Sequence, residues 1–371
     1  GFSTTGRERA ERSFTATSNP PMHNLELTED QTLILDTLKK FVQDAVAPKA
    51  QELDEHRHYA KEELQGLADL GLFGLSVPDS CGGAGMGLVP LVAACEELGT
   101  QGGSLARLLT TQVQCAIALG RAGGGPLDEV ISGSKRAVYI GPEFGITAAG
   151  SSLNGTCPLV PGAGEADLLV VAARGDGAGL FVVDATKTKR TSCRSLGLAS
   201  TAPASVQFEN CPATLVASGA DAMVATESAD LAGWVAGAAN CVGMGRASVV
   251  LARKHSGERI AFGKPLLAQQ AVARKLVESQ RGVDAARHLA YHAARLADQG
   301  GDAAAVAMCA RIAATDAAVH AADESIQIHG GFGYTVEYHV ERHYRDAKTI
   351  EVLDGGNETL KDRLAGLQFA G

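Results

Sequence analysis

Between residues 25 and 46 apolar side chains recur at helical spacing, with Leu33, Leu35, Leu38, Phe41, Val42 and Val46 near one face and charged residues between them. Thr28, followed three residues later by Gln31, has the form of a capping box that would start this helix, and Pro48 marks its end or the next turn. The same periodicity returns over residues 61–70, 88–98 and 104–121. Past the Gly123-Gly124-Gly125-Pro126 break the pattern changes to short β-branched runs at 137–140, 168–172, 180–183 and 206–208, separated by Gly, Asp and Ser. From about Ala222 it is helical again, in long alanine-rich stretches over 231–255, 266–297 and 303–329, with a fourth helix after Val340. Alanine at the contacts lets helices pack closely. The pattern predicts an α+β multi-domain protein: an N-terminal helical domain over 25–125, a central small β domain over 126–221, and a C-terminal four-helix bundle over 222–371.

With 371 residues, the chain is long enough for two or three cores. A net charge of −9 argues against a nucleic-acid surface, which would show a basic stripe, without forbidding a local basic pocket for a phosphorylated ligand. No uninterrupted apolar run approaches the ~18–20 residues of a membrane span, so none is expected. Residues 1–24 are polar and carry both acids and bases without an apolar stretch of the kind a secretory signal needs. They are expected to be a leader outside the folded domains, with Met22 as a natural start. The eight cysteines show neither C-x-x-C pairs nor histidines at zinc spacing, and read as reduced, mostly buried small apolar residues, with no metal site.

Several local patterns carry potential chemistry. The Gly82–Gly87 string GGAGMG would cradle a dinucleotide only with a strand before it and an acid ~20 residues on; it reads as a loop before a helix. His56 and His58 flank Arg57 in a charged stretch and read as a solvated helix face. The segment RIAFGKPLLAQQ presents Arg259, Phe262, Gly263, Gln269 and Gln270; a guanidinium can clasp a phosphate through a bidentate charge-assisted pair. The stretch QIHGGFGYTVEYHVERHYRDAKTIEVLDGGNE presents Gln327, Ile328, His329 and the glycines Gly330 and Gly331, which allow close backbone approach. Arg345, Asp346, Ala347 and Lys348 follow, and an acid, Asp354, lies six residues after the lysine.

These two stretches closely resemble the signatures of acyl-CoA dehydrogenases, and the order helical domain, β domain, bundle is that family's layout from Leu25 onward. The resemblance implies FAD as cofactor. Arg259, Phe262, Gln269, Gln270, Gln327, Ile328, His329, Gly330 and Gly331 would serve its pyrophosphate, reaching it from a neighbouring subunit, with Gly356 and Glu358 near the adenosine. It also implies that Asp354 stands where the family keeps a catalytic glutamate. Such a carboxylate removes the α-proton of an acyl-CoA thioester while the β-hydrogen leaves as hydride to the flavin. Aspartate is one methylene shorter, ~1.5 Å, and a misplacement of about 1 Å can cost on the order of 100-fold. The alternative base position that some members use on the first bundle helix falls at Gly233, and the neighbouring substrate-side arginine becomes Trp234. In the β domain the family's flavin-facing Trp and Thr become Leu159 and Pro161, and GPEFG, residues 141–145, stands in place of a longer glycine-rich turn.

The reading is therefore an FAD-dependent acyl-CoA dehydrogenase of lipid breakdown by fatty acid β-oxidation. An electron-transferring flavoprotein is the expected electron acceptor, and the expected assembly is a homo-tetramer or a heteromeric dimer of dimers. The expected location is the cytoplasm, or the mitochondrial matrix in a eukaryote. The alternative is a catalytically silent or half-site subunit that completes a partner's FAD site. A third reading is a redirected flavoprotein acting on an acyl thioester without a glutamate.

Overall fold

The computed structural model describes residues 27–369; the expected leader lies outside them. The N-terminal part is all helical: α1 (Glu29–Phe41), α2 (Ala50–His56), α3 (Lys61–Asp69), α4 (Val89–Gly99), α5 (Gly103–Ala122) and the short α6 (Leu127–Ile131). Thr28 and Gln31 form the reciprocal capping box at the start of α1. The inward face of α1 differs by one position from expectation. Leu33 is 68% exposed, whereas Ile34 packs against the core with Leu35 and Leu38. A single turn of π-helix, Val42–Val46, follows α1 and turns Val42 and Val46 into the same core.

The β domain comprises β1 (Ala137–Ile140), β2 (Thr147–Ala149), β3 (Ser152–Val160), β4 (Leu168–Ala173), β5 (Gly179–Asp184), β6 (Lys189–Ser192), β7 (Ala204–Pro212) and β8 (Thr214–Ser218). They form two four-stranded sheets, ordered β1-β4-β5-β8 and β2-β3-β7-β6. One face of the first sheet (Val138, Ile140, Leu169, Val171, Phe181) meets Leu153, Cys157, Val206 and Phe208 of the second. Its other face (Tyr139, Val170, Leu180) packs on helices. Burial on both faces explains why the β4 run reads as continuously apolar. The edge strand β1 is pinned by α5: Gln112 Oε1 accepts from the Ala137 N–H and Thr111 Oγ1 from the Tyr139 N–H. Four strands escaped the sequence reading, namely β2, β3, β6 and β8, which carry exposed polar residues and bulges rather than apolar runs.

The bundle begins at Gly219, three positions before the expected boundary at 222 and twelve before the helical stretch expected from 231. Its first helix, α7 (Gly219–Glu258), is 40 residues long because Ala222, Ala225 and Ala229 pack its first turns against the sheet. A two-residue ribbon, β9 (Ile260–Ala261) with β10 (Lys264–Pro265), leads to α8 (Gln270–Asp298) and α9 (Ala304–His329). Where a single fourth helix was expected there are two, α10 (Val340–Val352) and α11 (Gly356–Phe369), separated by a sharp break at residues 353–355. By length and composition the stretches Gly219–Glu258 and Ala304–Tyr334 are long and apolar enough to cross a bilayer, although neither is an uninterrupted apolar run. In this fold α7 is the central helix of the bundle and is mostly buried.

The helical domain and the bundle are not two cores but one. A continuous apolar cluster runs from Leu38 through α4 and α5 to α7, α8, α9 and Leu353. Close approach of α4 and α7 depends on glycine: a Cβ at Gly243 would overlap the Glu96 carbonyl, and one at Gly99 the Asn240 carbonyl. Gly243→Ala is expected to lower the unfolding free energy by about 1–3 kcal/mol through overpacking. Urea denaturation measures it, and an unchanged midpoint would show that the two helices can move apart freely.

Candidate active site at the break between two helices

Leu353, Asp354, Gly355 and Gly356 turn the chain between α10 and α11. Leu353 is extended and buried, and the next three residues all have positive φ, 55°, 83° and 74°. Glycine takes such angles freely, and aspartate is among the few other residues that tolerate them. The turn lifts the Asp354 carboxylate out of the helical pattern and aims it at α5. There Arg107 clasps it through two parallel hydrogen bonds, Nη1 to Oδ2 at 2.7 Å and Nη2 to Oδ1 at 2.9 Å. The Arg107 side chain is 6% exposed and that of Asp354 29%. Nothing in the spacing of the sequence pointed to Arg107, which lies 247 residues away from its partner.

More buried polar groups surround this pair. Arg311 of α9 donates from Nη2 to the Ile350 carbonyl at 2.7 Å, capping the C-terminal end of α10, and its guanidinium occupies the space that a side chain at Gly237 would need. Burial depresses its affinity for the proton, and the Asp354 charge works the other way. Gln114 of α5 donates to the Ala229 carbonyl at 3.1 Å and fills the space over Gly233, so the alternative base position is both empty of an acid and closed.

Two more carboxyl groups approach from the other side. Glu143, in the GPEFG turn after β1, has its Cβ within 3.3 Å of where a Cβ on Gly355 would stand. Burial, reinforced by the charges of Asp354 and Asp230, pushes its carboxyl up to about 8. Asp230 of α7 is pushed up to about 6 by burial, against the opposing effect of a hydrogen bond from the Tyr139 hydroxyl at 3.0 Å and of Arg363 at 3.8 Å. Asp230 and Arg363 also line two adjoining grooves. One, of about 680 Å³, includes Leu231, Trp234, Met308 and Leu367; the other, of about 390 Å³, includes Pro142, Ala172, Gly179 and Met223. The Arg363 guanidinium of α11 lies 5.8 Å over the ring of Trp234, the residue that stands in place of the family's α7 arginine.

The other sequence-derived residues gather at the far end of α7. Arg259 caps that helix and is exposed; Phe262 follows with φ 53° and 96% of its surface free. Gln269 is the N-cap of α8 and Gln270 its first residue. Gln327 is near the end of α9 and donates to the Tyr334 hydroxyl at 2.9 Å. The His255 and His329 rings stack at 4.3 Å and so join the ends of α7 and α9, bringing the two motifs together. His329 is buried and its Nδ1 bonds to the Ser325 carbonyl at 2.7 Å, while the Ile328 side chain is turned inward. Gly330, Gly331 and Gly263 have open space where a Cβ would stand. An exposed guanidinium beside unobstructed glycines is a suitable cradle for a diphosphate. Gly356 starts α11, and Glu358 on its first turn is exposed and paired with Lys361. His56 and His58 are both exposed, in keeping with a solvated face.

The stretch of the β domain expected from the resemblance to face a flavin offers less. Pro161 is buried, Leu159 packs against the helical core, and the Gly162 and Gly164 N–H groups donate to the Thr201 and Ala202 carbonyls at 2.7 and 3.0 Å. The polar backbone groups of this stretch are thus engaged by the protein itself.

Comparison with known proteins agrees with this architecture. Residues 28–124 match the N-terminal domain of acyl-CoA dehydrogenases and residues 233–366 their C-terminal domain. An acyl-CoA dehydrogenase of Bacillus subtilis is 27% identical over 90% of this chain and 96% of its own length. Butyryl-CoA dehydrogenase of Megasphaera elsdenii superposes with a TM-score of 0.85 at 26% identity, covering 93% of this chain and 99% of that one. A chain from the structure described as the electron transferring flavoprotein of Acidaminococcus fermentans gives 0.86 at 25% identity, covering 94% and 100%. The chain thus belongs to the acyl-CoA dehydrogenase family of oxidoreductases, with FAD the cofactor that family membership supports.

Proposed function

We propose that this protein removes the elements of hydrogen across the α,β bond of an acyl-CoA thioester, with Asp354 as the base. The observation that carries the reading is the carboxylate raised on the α10–α11 break, beside two grooves that converge on Asp230 and Arg363. The grooves offer an apolar floor for an extended thioester arm. FAD, when bound, supplies the acceptor for the β-hydride. Asp354 takes the α-proton, and for that it must free an oxygen from Arg107, because both oxygens accept from the guanidinium in the resting structure. Burial and the neighbouring Asp354 and Asp230 charges push the Glu143 carboxyl up to about 8, so it resists ionising beside Asp354. Electrons leaving the flavin would pass to an electron-transferring flavoprotein.

A half-site role within a dimer of dimers is the second reading, and a specific asymmetry favours it. The diphosphate-side residues Arg259, Gly330 and Gly331 are open, and exposed Phe262, Phe332, Tyr334 and Val336 lie close to them in sequence, as a face for another subunit would require. The flavin-ring side is instead closed by Pro161 and the bonds to Thr201 and Ala202. The visible spectrum of the purified chain separates the two readings. Stoichiometric flavin that bleaches with an acyl-CoA supports the enzyme; a colourless chain that turns yellow only on co-expression with an unlike subunit supports the half-site.

On the enzyme reading, Asp354→Asn slows bleaching by roughly 100-fold or more, the contribution expected of a general base; unchanged stopped-flow traces would remove Asp354 from the reaction. Arg259→Gln loses a charge-assisted contact and is expected to weaken flavin retention by about 10- to 100-fold, read from the flavin-to-protein ratio after dialysis. Glu143 also predicts a pH effect. Its folded-state carboxyl titrates near 8 and the unfolded one in the ordinary glutamate range, so the folded protein binds the extra proton between those values and stability falls as pH rises through them. Glu143→Gln should therefore stabilise the protein more at pH 8 than at pH 5 in paired denaturation curves, and an equal effect at both would show that the carboxyl titrates normally.

A further inference from the structure

Charge around the helix break does not balance. Arg107 and Arg311 are 5% and 4% exposed, and among the described residues Asp354 is the acid that faces both. Arg107 engages both terminal nitrogens on Asp354 and leaves its buried Nε without a partner; Arg311 holds only the Ile350 carbonyl and likewise leaves its Nε unpartnered. The other titratable groups nearby do not supply the missing charge. Burial pushes the Cys241 thiol beside Arg311 up to about 12 and the Glu143 carboxyl up to about 8, Asp230 is engaged by Tyr139 and Arg363, Asp346 by the Gly103 and Leu198 N–H groups, and Glu351 by Lys348. Guanidinium groups do not shed their proton under these conditions, and a buried cation lacking a counter-charge is costly. Two cations therefore share one anion, next to a carboxylate that must be released before it can act.

We propose that the acyl group of the substrate carries a second, free carboxylate, and that this carboxylate binds in the Arg107–Arg311 cluster. The inference rests on the thioester reading above and deepens it. A substrate carboxylate entering past the partly exposed Asp354 supplies the absent negative charge and competes for the fork of Arg107, to which it is geometrically suited. Exchange of one carboxylate for another on Arg107 moves no proton and no electron. It leaves Asp354 ionised with a free oxygen, positioned to accept the α-proton. A neutral acyl chain of the same length brings no competing anion, so the clamp on Asp354 stays shut. Arg107 thereby acts as the residue that sets specificity.

Trp234, the one tryptophan of the chain, lines the larger groove and reports binding without turnover. The full chain, with whatever flavin it retains, would be titrated with succinyl-, glutaryl- and adipyl-CoA and with butyryl-, valeryl- and hexanoyl-CoA, following tryptophan fluorescence and flavin bleaching in parallel. The expected result is that at least one dicarboxylic ester binds roughly tenfold or more tighter than its neutral counterpart, the scale of a charge-assisted pair. Arg107→Met should abolish that preference. Should Arg107→Met fail to fold, Arg107→Lys, which keeps the charge but loses the fork, should reduce the preference by at least about threefold. Equal affinity for both series in the wild-type chain, with bleaching by the neutral esters, overturns the proposal and leaves the dehydrogenase reading in place. Absence of both fluorescence change and bleaching with every ester overturns the two together.

Discussion

The structure hangs on the packing of α7. One helix of 40 residues touches the first β sheet with its opening turns, α4 and α5 with its middle, and α8 and α9 along its length. Gly99 and Gly243 permit the approach to α4, Gly233 makes room for Gln114, and Gly237 makes room for Arg311. The groove-lining Asp230 and the exposed Arg259 are therefore fixed by one rigid element, at opposite ends of it. A shift of α7 would disturb both ends together.

A buried latch holds the β domain onto this frame. Asp346, in the Arg-Asp-Ala stretch, accepts from the Gly103 N–H at 2.7 Å and the Leu198 N–H at 2.6 Å, and Thr349 Oγ1 accepts from the Gly197 N–H at 2.8 Å. Arg345 pairs with Asp54 on α2. Burial pushes the Asp346 carboxyl up to about 6, opposed by its two backbone donors. Three segments far apart in sequence thus meet just N-terminal to the break that carries Asp354. The rigidity of that break follows from the latch on one side and from Arg311 capping α10 on the other.

The site itself is polar where a simple hydrocarbon slot would be apolar. Arg107, Arg311 and Gln114 occupy the interior between α5, α7 and α9, and each of the two arginines leaves its Nε without a partner. Incompletely paired buried charge is a cost to folding, and such costs persist where a ligand is meant to complete the network. Asp354 and Arg107 form a unit, since both carboxylate oxygens are held by the two terminal nitrogens of the guanidinium.

Much of the architecture was legible in the sequence because it rests on local periodicity. The capping box at Thr28, the alanine-rich helices, the apolar β4 run and the aspartate after Lys348 each declare themselves within a few residues. The early start of α7, the polar strands β3 and β6, and the split between α10 and α11 did not, because burial against distant elements and runs of positive φ outweigh local propensity there. The sequence by itself determined the family, the order helical domain, β domain and helical bundle, and the two stretches around Arg259 and Asp354 that carry the family resemblance. Only the tertiary structure decided that Asp354 is clamped by Arg107, that Arg311 keeps a buried Nε without a partner, and that Arg363 lies over Trp234. Those outcomes depend on which buried charges are brought within hydrogen-bond reach, and a chain folded through 247 intervening residues fixes that only once its helices have packed.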